Sequence, residues 1–418
     1  MENKRPAQKR QVTFDQKLAD QNIVLSVRHL KQFFTVGFGA SKFRTKAVHD
    51  ISFDIKKGEV FGLVGESGCG KTTTGRSIIR LYNITSGSIY FNGYRINGGT
   101  RWNEKEIKWK RIKARKRIKE LRQEMSDEIA EATSASQENN DQIIAAIKDG
   151  YQAKIEAIKA ETAAIVAEQK EKIKQVRYDN AHVDPHMMSK MQMIFQDPTD
   201  SLDPRMTVED IIQEGLHILG ERNKTSNSAK VVEVLEKVGL LADYASRYPH
   251  EFSGGQRQRI GIARAIIMNP EFLICDEPIS ALDVSIRAQI INLLNDLKNE
   301  YGLTILFIAH DLSVIKYFCD RFAVMYYGEI VEMSTAEEIF KHPLHPYTRA
   351  LLSAIPKPDP ISEKKRQRIV YNPLTDHDYS KEKPVLQEII PGHLVSANSD
   401  EIEKYKQEMA AIDARVAE

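Results

Sequence analysis

Gly65-Glu66-Ser67-Gly68-Cys69-Gly70-Lys71-Thr72 follows an apolar run at residues 58–64 and precedes a helical one at 72–81. The spacing G-x-x-x-x-G-K-[ST] lets backbone N–H groups converge on phosphate, and the following helix adds its positive end. In this pattern Lys71 reaches the β- and γ-phosphates of a nucleoside triphosphate, and the Thr72 hydroxyl ligates Mg²⁺. Gly65, Glu66, Ser67, Gly68, Cys69, Gly70, Lys71, Thr72 and the adjoining Thr73 are therefore candidate nucleotide contacts. A chance glycine-rich turn would lack the buried strand before it and the helix after it.

Upstream and just downstream of this loop, short β-rich runs alternate with turn signals such as Lys57-Gly58 and Asn92-Gly93. Further on, strands are expected at 191–195, 271–276 and 303–309, with a strand pair at 321–331 around Tyr327-Gly328. Helices are expected at 207–219, 225–238, 254–269 and 284–299. Strands alternating with helices imply an α/β fold with a mainly parallel sheet. Residues 1–22 read as a disordered extension. Residues 341–418 are rich in proline and polar residues and end in a charged helical pattern from Asp400 onward.

Composition changes abruptly near residue 100 and changes back near 186. Between them lie mostly Lys, Glu, Ala, Gln and Ile. Ile118, Leu121, Met125 and Ile129 are spaced three and four apart, and Ile144, Ile147, Tyr151, Ile155, Ile158 and Ile165 follow a similar pattern. The polar stretch 133–141 is the natural turn. The reading is an inserted coiled-coil-like arm of two antiparallel helices, each about 30 residues and roughly 45 Å long.

The chain has 418 residues and a formal charge of +2, too small by itself to argue for a nucleic-acid or membrane partner. No apolar stretch approaches the eighteen or so residues needed to span a bilayer, and the polar, basic first twenty or so residues do not form a signal peptide. Cys69, Cys275 and Cys319 are odd in number and lack metal-like spacing, so they read as reduced small hydrophobes.

Leu273-Ile274-Cys275-Asp276-Glu277 is an apolar strand ending in two carboxylates. Asp276 is the candidate Mg²⁺ holder, and Glu277, pointing the other way, the general base toward an attacking water. Alone, such a pair is usually a solvated strand end; the phosphate loop promotes it. Gln196, in Phe195-Gln196-Asp197-Pro198, is long and uncharged enough to touch Mg²⁺ or water, although a lone glutamine is normally surface. His310 follows the 303–309 strand, where an imidazole can meet a γ-phosphate; the bland alternative is a structural histidine. Phe252-Ser253-Gly254-Gly255-Gln256-Arg257-Gln258-Arg259 places a second serine/glycine phosphate binder at the start of a basic helix. Ser280-Ala281-Leu282-Asp283 follows the carboxylates where a second subunit would approach.

Taken in order, the phosphate loop, Gln196, Ser253-Gly254-Gly255-Gln256, Asp276-Glu277, Asp283 and His310 resemble the complete motif series of ABC nucleotide-binding domains over residues 24–98 and 187–335. The resemblance implies a P-loop ABC fold with a RecA-like core, an antiparallel β subdomain and a helical subdomain, within residues 23–340. It implies ATP and Mg²⁺ as ligands, with catalytic roles for Glu277, His310 (a switch histidine) and Gln196, and Mg²⁺ at Thr72, Gln196 and Asp276. It also implies that Ser253, Gly254, Gly255 and Gln256 complete the ATP site of a partner chain. Phe34 is the candidate adenine-stacking aromatic, with Phe33 and Phe43 as competitors and an ordinary core phenylalanine as the bland reading. Phe252 replaces the usual leucine, a mild apolar change.

His342-Pro343-Leu344-His345-Pro346-Tyr347-Thr348-Arg349-Ala350-Leu351-Leu352-Ser353-Ala354-Ile355-Pro356 is similar to the extension, here 341–418, of oligopeptide and dipeptide importer ATPases. Physically it is a proline-bounded turn feeding a short amphipathic helix, suited to docking. Gln256, Cys69 and Tyr248-Pro249-His250-Glu251-Phe252 resemble the second, F-type subunit of the usual ATPase pair. The implied partners are a homologous D-type ATPase, two transmembrane permease subunits and, indirectly, an extracytoplasmic peptide-binding protein. The implied place is the cytoplasmic face of the membrane. No cysteine follows Cys319, so no iron–sulfur cluster is expected.

The arm is the one large departure, and its first part (residues 101–122) is strongly basic. A coiled-coil insertion is similar to those of DNA-associated chromosome-maintenance and repair ATPases. Against that alternative, the insertion precedes Gln196 rather than following it, is short, and is accompanied by the proline-tyrosine tail. A two-cassette translation factor fails because one cassette is present. The basic run reads as a solvated helix face ahead of a nucleic-acid or lipid contact, which leaves nucleic acid as a disfavoured partner.

Overall fold

A computed structural model describes residues 10–38, 41–134, 140–356 and 368–417. The chain begins with α1 (Gln16–Asp20), β1 (Ile23–Val36), β2 (Phe43–Lys56), β3 (Val60–Val64), α2 (Lys71–Ile78), β4 (Ser86–Phe91) and β5 (Tyr94–Thr100). Two long helices follow, α3 (Arg101–Ser134) and α4 (Asn140–Ala181). Next come α5 (Pro185–Ser189), β6 (Met191–Ile194), α6 (Pro198–Ser201), α7 (Val208–Ile218), α8 (Lys224–Lys237) and α9 (Gly254–Ile266). The core closes with β7 (Phe272–Asp276), α10 (Val284–Tyr301), β8 (Thr304–Ala309), α11 (Leu312–Phe318), β9 (Arg321–Tyr326), β10 (Glu329–Thr335) and α12 (Ala336–Lys341). The tail adds α13 (Pro346–Ser353), β11 (Val385–Ile390), β12 (His393–Ala397) and α14 (Ser399–Ala417).

These strands make two sheets. The four-stranded antiparallel sheet runs β2-β1-β4-β5, and the eight-stranded sheet runs β11-β12-β10-β9-β3-β8-β7-β6. From β6 through β9 the pairing is parallel, and beyond β9 it is antiparallel. Strands β3, β7 and β8 are buried along their whole length, which a sheet covered on both faces requires. Their residues divide by parity. Val60, Leu273, Ile305 and Phe307 join the cluster of α7–α10, whereas Phe61, Ile274, Leu306 and Ile308 join the cluster under the four-stranded sheet.

Helices α3 (34 residues) and α4 (42 residues) pack along each other as an arm. Ile118, Leu121, Met125 and Ile129 are buried or half-buried along α3, as are Ile144, Ile147, Tyr151, Ile155, Ile158 and Ile165 along α4. The turn expected at 133–141 falls mostly outside the described residues. The arm's root is fixed by polar contacts: the Asn180 amide donates to Gly98 O (2.8 Å) and accepts from Gly98 N (2.9 Å).

Two expectations change here. Residues 10–22, read from composition as disordered, are packed, while residues 1–9 lie outside the described residues. Leu18 is buried, Phe14 packs at a tilt on Tyr94 with centroids 4.7 Å apart, and Thr13 donates its N–H and hydroxyl to the buried Asp179 carboxylate. A partner 166 positions away in sequence cannot be read from local composition. The second change is in the tail, read as a proline-bounded turn, a short helix and a terminal charged helix, which also holds two strands. Its proline-bounded helix packs inward: Tyr347 is 2% exposed and sits in the main apolar cluster. Strands β11 and β12 then extend the large sheet, and Glu332 and His393, both wholly buried, meet at 2.9 Å. The Glu332 carboxylate also accepts from Leu344 N (2.8 Å) and His345 N (3.0 Å), so the tail's turn is tied to β10.

Candidate functional site

The loop between β3 and α2 wraps a cavity of about 610 Å³, large enough for the phosphates of a nucleotide. Two loop glycines are required by close approach: a Cβ on Gly65 would lie 2.2 Å from Met325 O, and one on Gly70 2.3 Å from Ala47 O. Both have positive φ, which L side chains adopt only with strain. Glu66, Ser67, Gly68, Gly70, Lys71, Thr72 and Thr73 line the cavity, and the structure brings Gln196, Glu277 and His310 to its opposite wall. The Cys69 thiol is buried behind the loop, where burial raises its pKa, so its side chain serves packing.

Lys71 is almost fully buried, and its ammonium donates to the carbonyls of Gly65 (2.7 Å) and Glu66 (2.9 Å). Its nearest carboxylate oxygen is Glu277 Oε1 at 3.7 Å. The other oxygen, Oε2, accepts from Gln196 Nε2 (3.2 Å) and lies 3.1 Å from His310 Nδ1. Glu277 has φ 47°, a left-handed conformation uncommon for a residue with a Cβ. That turn at the end of β7 swings its side chain over the cavity while its N–H stays bonded to Ile308 O (3.0 Å). A left-handed backbone at a residue with a Cβ costs strain of the kind stored at working sites.

Asp276 is wholly buried one residue earlier. Its Oδ1 accepts from the Thr72 hydroxyl at 2.8 Å, while Oδ2 is buried with no hydrogen-bond partner. Burial pushes this carboxyl above the ordinary carboxylate range, against the opposing pull of Thr72, Arg76 and Lys71. An unpartnered carboxylate oxygen beside a hydroxyl is a donor set that fits a hard cation such as Mg²⁺.

The remaining sequence candidates lie elsewhere. Ser253 and Gln256 form a reciprocal cap at the start of α9: Gln256 N donates to Ser253 Oγ (3.3 Å) and Ser253 N donates to Gln256 Oε1 (3.0 Å). Ser253 and Gly254 are exposed and none of the four residues lines the cavity. A Cβ on Gly255 would lie 2.8 Å from Ile286 Cγ2, whereas one on Gly254 would meet only Leu282 at 3.8 Å. The signature therefore abuts the start of α10, where Asp283 is exposed at the N-cap. Phe34 is half-buried, edge-on to Tyr82 at 5.2 Å, and does not line the cavity; nor do Phe33 and Phe43. Phe252 is buried against Tyr244 at 5.3 Å, where an apolar replacement for leucine fits. Sequence reasoning missed Ala47, which lines the cavity, and Tyr347, whose hydroxyl accepts from Glu66 N at 3.1 Å. Alanine carries no motif signal. Tyr347 was visible only as part of the tail block.

Known proteins supply an independent comparison. The ABC transporter family matches residues 48–172 and 162–280, two segments that meet on α4, and the family described as oligopeptide/dipeptide transporter, C-terminal region, matches 331–381. The oligopeptide transport ATP-binding protein OppF of Bacillus subtilis is 44% identical over 91% of this chain and 98% of its own length. The dipeptide transport ATP-binding protein DppF of Lactococcus lactis is 41% identical over 92% and 97%. A solved ATP-binding cassette of an ABC transporter in its ADP conformation, 19% identical, superposes with a TM-score of 0.50 over 80% of this chain and 99% of its own. That likeness speaks for the fold. Similarity of this depth reaches from the phosphate loop through the folded-back tail, and the chain belongs to the ATP-binding subunits of ABC transporters, in their oligopeptide/dipeptide branch.

Proposed function

We propose that the chain hydrolyses ATP to drive import of oligopeptides across the cytoplasmic membrane, lying on the inner face against two permease subunits. It would pair with a homologous D-type ATPase, and a peptide-binding protein outside would deliver cargo. Among the described residues no helix is long and apolar enough to cross a membrane. The relatives named above are transport proteins, which leaves the DNA-associated reading of the arm without support.

One observation carries the catalytic reading: the Glu277 carboxylate is only 12% exposed and is held between Gln196, His310 and Lys71 over the phosphate-loop cavity. There it can take a proton from a water attacking the γ-phosphorus, with ADP as the leaving group. Lys71 would keep the Gly65 carbonyl and exchange the Glu66 carbonyl for phosphate oxygens. Mg²⁺, held by Thr72 and Asp276 with Gln196 nearby, would supply charge neutralisation at the β- and γ-phosphates. His310, beside Glu277 and half-exposed, would act as the γ-phosphate sensor. Ser253, Gly254, Gly255 and Gln256 would close the ATP site of the partner subunit, with Asp283 at the same interface, because none lines its own cavity and Ser253, Gly254 and Asp283 are exposed. Phe34 remains the adenine candidate.

Glu277→Gln keeps the shape and the Gln196 contact but removes the base. We expect ATP turnover of the reconstituted transporter to fall about 10²- to 10⁴-fold with nucleotide binding retained, and peptide uptake to stop. Unchanged turnover would overturn the assignment.

A further inference from the structure

The peptide unit joining Gly65 to Glu66 is held on both edges. Its carbonyl oxygen accepts from the Lys71 ammonium at 2.7 Å, and its N–H donates to the Tyr347 hydroxyl at 3.1 Å. The first partner belongs to the phosphate loop, and the second comes from the tail, 281 positions from Glu66 in sequence. The Tyr347 ring is itself fixed. It lies 4.5 Å from Tyr326 at the end of β9 and 5.5 Å from Tyr371 in the tail, and it is 2% exposed. Its helix is anchored just ahead of it, since the N-cap His345 N donates to the buried Glu332 carboxylate at 3.0 Å.

We propose that Tyr347 is a positioning residue for the nucleotide site: its hydroxyl clamps the 65–66 peptide so that the C-terminal extension sets the seating of Lys71 and the affinity for ATP. The physical argument is local. A peptide plane held only through its carbonyl can pivot about that bond, and its flanking residue Gly65 has no Cβ to resist. Pivoting would swing away the oxygen on which Lys71 rests. The N–H contact from the opposite edge blocks that rotation, as a second point fixes a hinge. The ammonium has three protons, one on the Gly65 carbonyl and one on the Glu66 carbonyl, so a fixed Gly65 carbonyl holds the group in place while the Glu66 bond and the third proton are given to phosphate. The tail thereby acts as part of the loop's wall, through one hydroxyl. This inference rests on the loop at 65–72 binding ATP.

The test uses the full transporter complex with wild-type, Tyr347→Phe and Thr348→Val subunits, measuring ATP turnover against ATP concentration and equilibrium binding of a fluorescent ATP analogue. Tyr347→Phe keeps the ring packing and deletes the hydroxyl. Thr348→Val changes the neighbouring buried side chain, whose Oγ1 has no hydrogen-bond partner. The expected result is a KM for ATP and an analogue Kd raised about three- to tenfold in Tyr347→Phe, the size of one lost hydrogen bond. The kcat should stay within about twofold, since the clamp is equally present before and during the reaction. Thr348→Val should match wild type in all three. An unchanged KM and Kd in Tyr347→Phe overturns the proposal. So does an equal rise in Thr348→Val, which would assign the effect to tail packing. Failure of the wild-type complex to bind the analogue would instead overturn the nucleotide reading itself, together with the inference resting on it.

Discussion

Acid should loosen this protein through His345, and the size of the effect can be worked out. His345 caps α13: its Nδ1 accepts from Tyr347 N at 3.1 Å, and its ring is buried. An accepting Nδ1 requires the neutral imidazole with its proton on Nε2. Burial first, then the His377 imidazole (centroids 5.0 Å apart) and Arg349, lower its pKa from 6.5 to about 3. Tyr371, at 5.7 Å, and the Glu332 carboxylate beneath the His345 backbone complete its polar surroundings. In the unfolded chain the ring takes its proton near pH 6.5. Below that pH the unfolded state therefore binds more protons, so stability is complete above 6.5 and declines as pH falls toward the folded pKa. At 1.36 kcal/mol per unit, lowering the pH from 8 to 5 removes about 2 kcal/mol, roughly a thirtyfold drop in the folded-to-unfolded ratio. His345→Asn keeps a good N-cap acceptor and cannot titrate. Urea unfolding of both chains at pH 8 and pH 5 isolates the term, because any packing loss in the variant is common to both pH values. Wild type is expected to lose about 2 kcal/mol more than His345→Asn on acidification. Equal acid losses, or a His345 resonance titrating near its ordinary value in the folded protein, would refute the reasoning.

Two further substitutions test the frame around the site. The wholly buried Asp179 carboxylate accepts from Thr13 N (3.0 Å), Thr13 Oγ1 (2.7 Å), Arg95 Nη1 (3.0 Å) and Gln175 Nε2 (2.8 Å). Asp179→Asn removes the charge facing Arg95 and should cost about 3–5 kcal/mol, read as a lower melting temperature and new protease cleavage near residue 13. Unaltered melting and cleavage would count against that lock. Gly255→Ala forces a Cβ toward Ile286 Cγ2 and should cost about 1–3 kcal/mol, with part recovered by adding Ile286→Leu, which has no branch at Cβ. A Gly255→Ala chain that melts like wild type would show that this contact yields freely.

What could be read in the sequence was whatever chemistry ties to short spacing. The phosphate loop declares itself because convergent N–H groups need glycine at fixed intervals, and the strand and helix beside it follow from local periodicity. The arm was legible because Ile118, Leu121, Met125 and Ile129 repeat at helical spacing over a long stretch. The packed segment at 10–22 was not, because Asp179 and Tyr94, which hold Thr13 and Phe14, lie far along the chain. Strands β11 and β12 were equally hidden: they are short, half-exposed in part, and joined to the sheet by position, β12 on β10 and β11 on β12, rather than by any strong apolar pattern. Tyr347 could be quoted but not placed, since nothing local links a tail tyrosine to a loop peptide.

The signature at 253–256 bears on why one chain would need another. A helix start leaves its first four N–H groups without helical partners. At α9 the reciprocal cap takes the first and fourth, those of Ser253 and Gln256. The two it leaves are the N–H groups of Gly254 and Gly255, and the Ser253 hydroxyl, which accepts in that cap, keeps its own proton to donate. Gly254 has no packing demand for glycine, since a Cβ there would make only an ordinary 3.8 Å contact. On the proposed pairing, its missing side chain would leave room for a ligand approaching from outside. An anion brought face-on to that exposed helix start would find three donors and the helix's positive end. A partner's ATP meets that description, and its arrival would join the Gly254 surface to the Asp283 surface in a single contact.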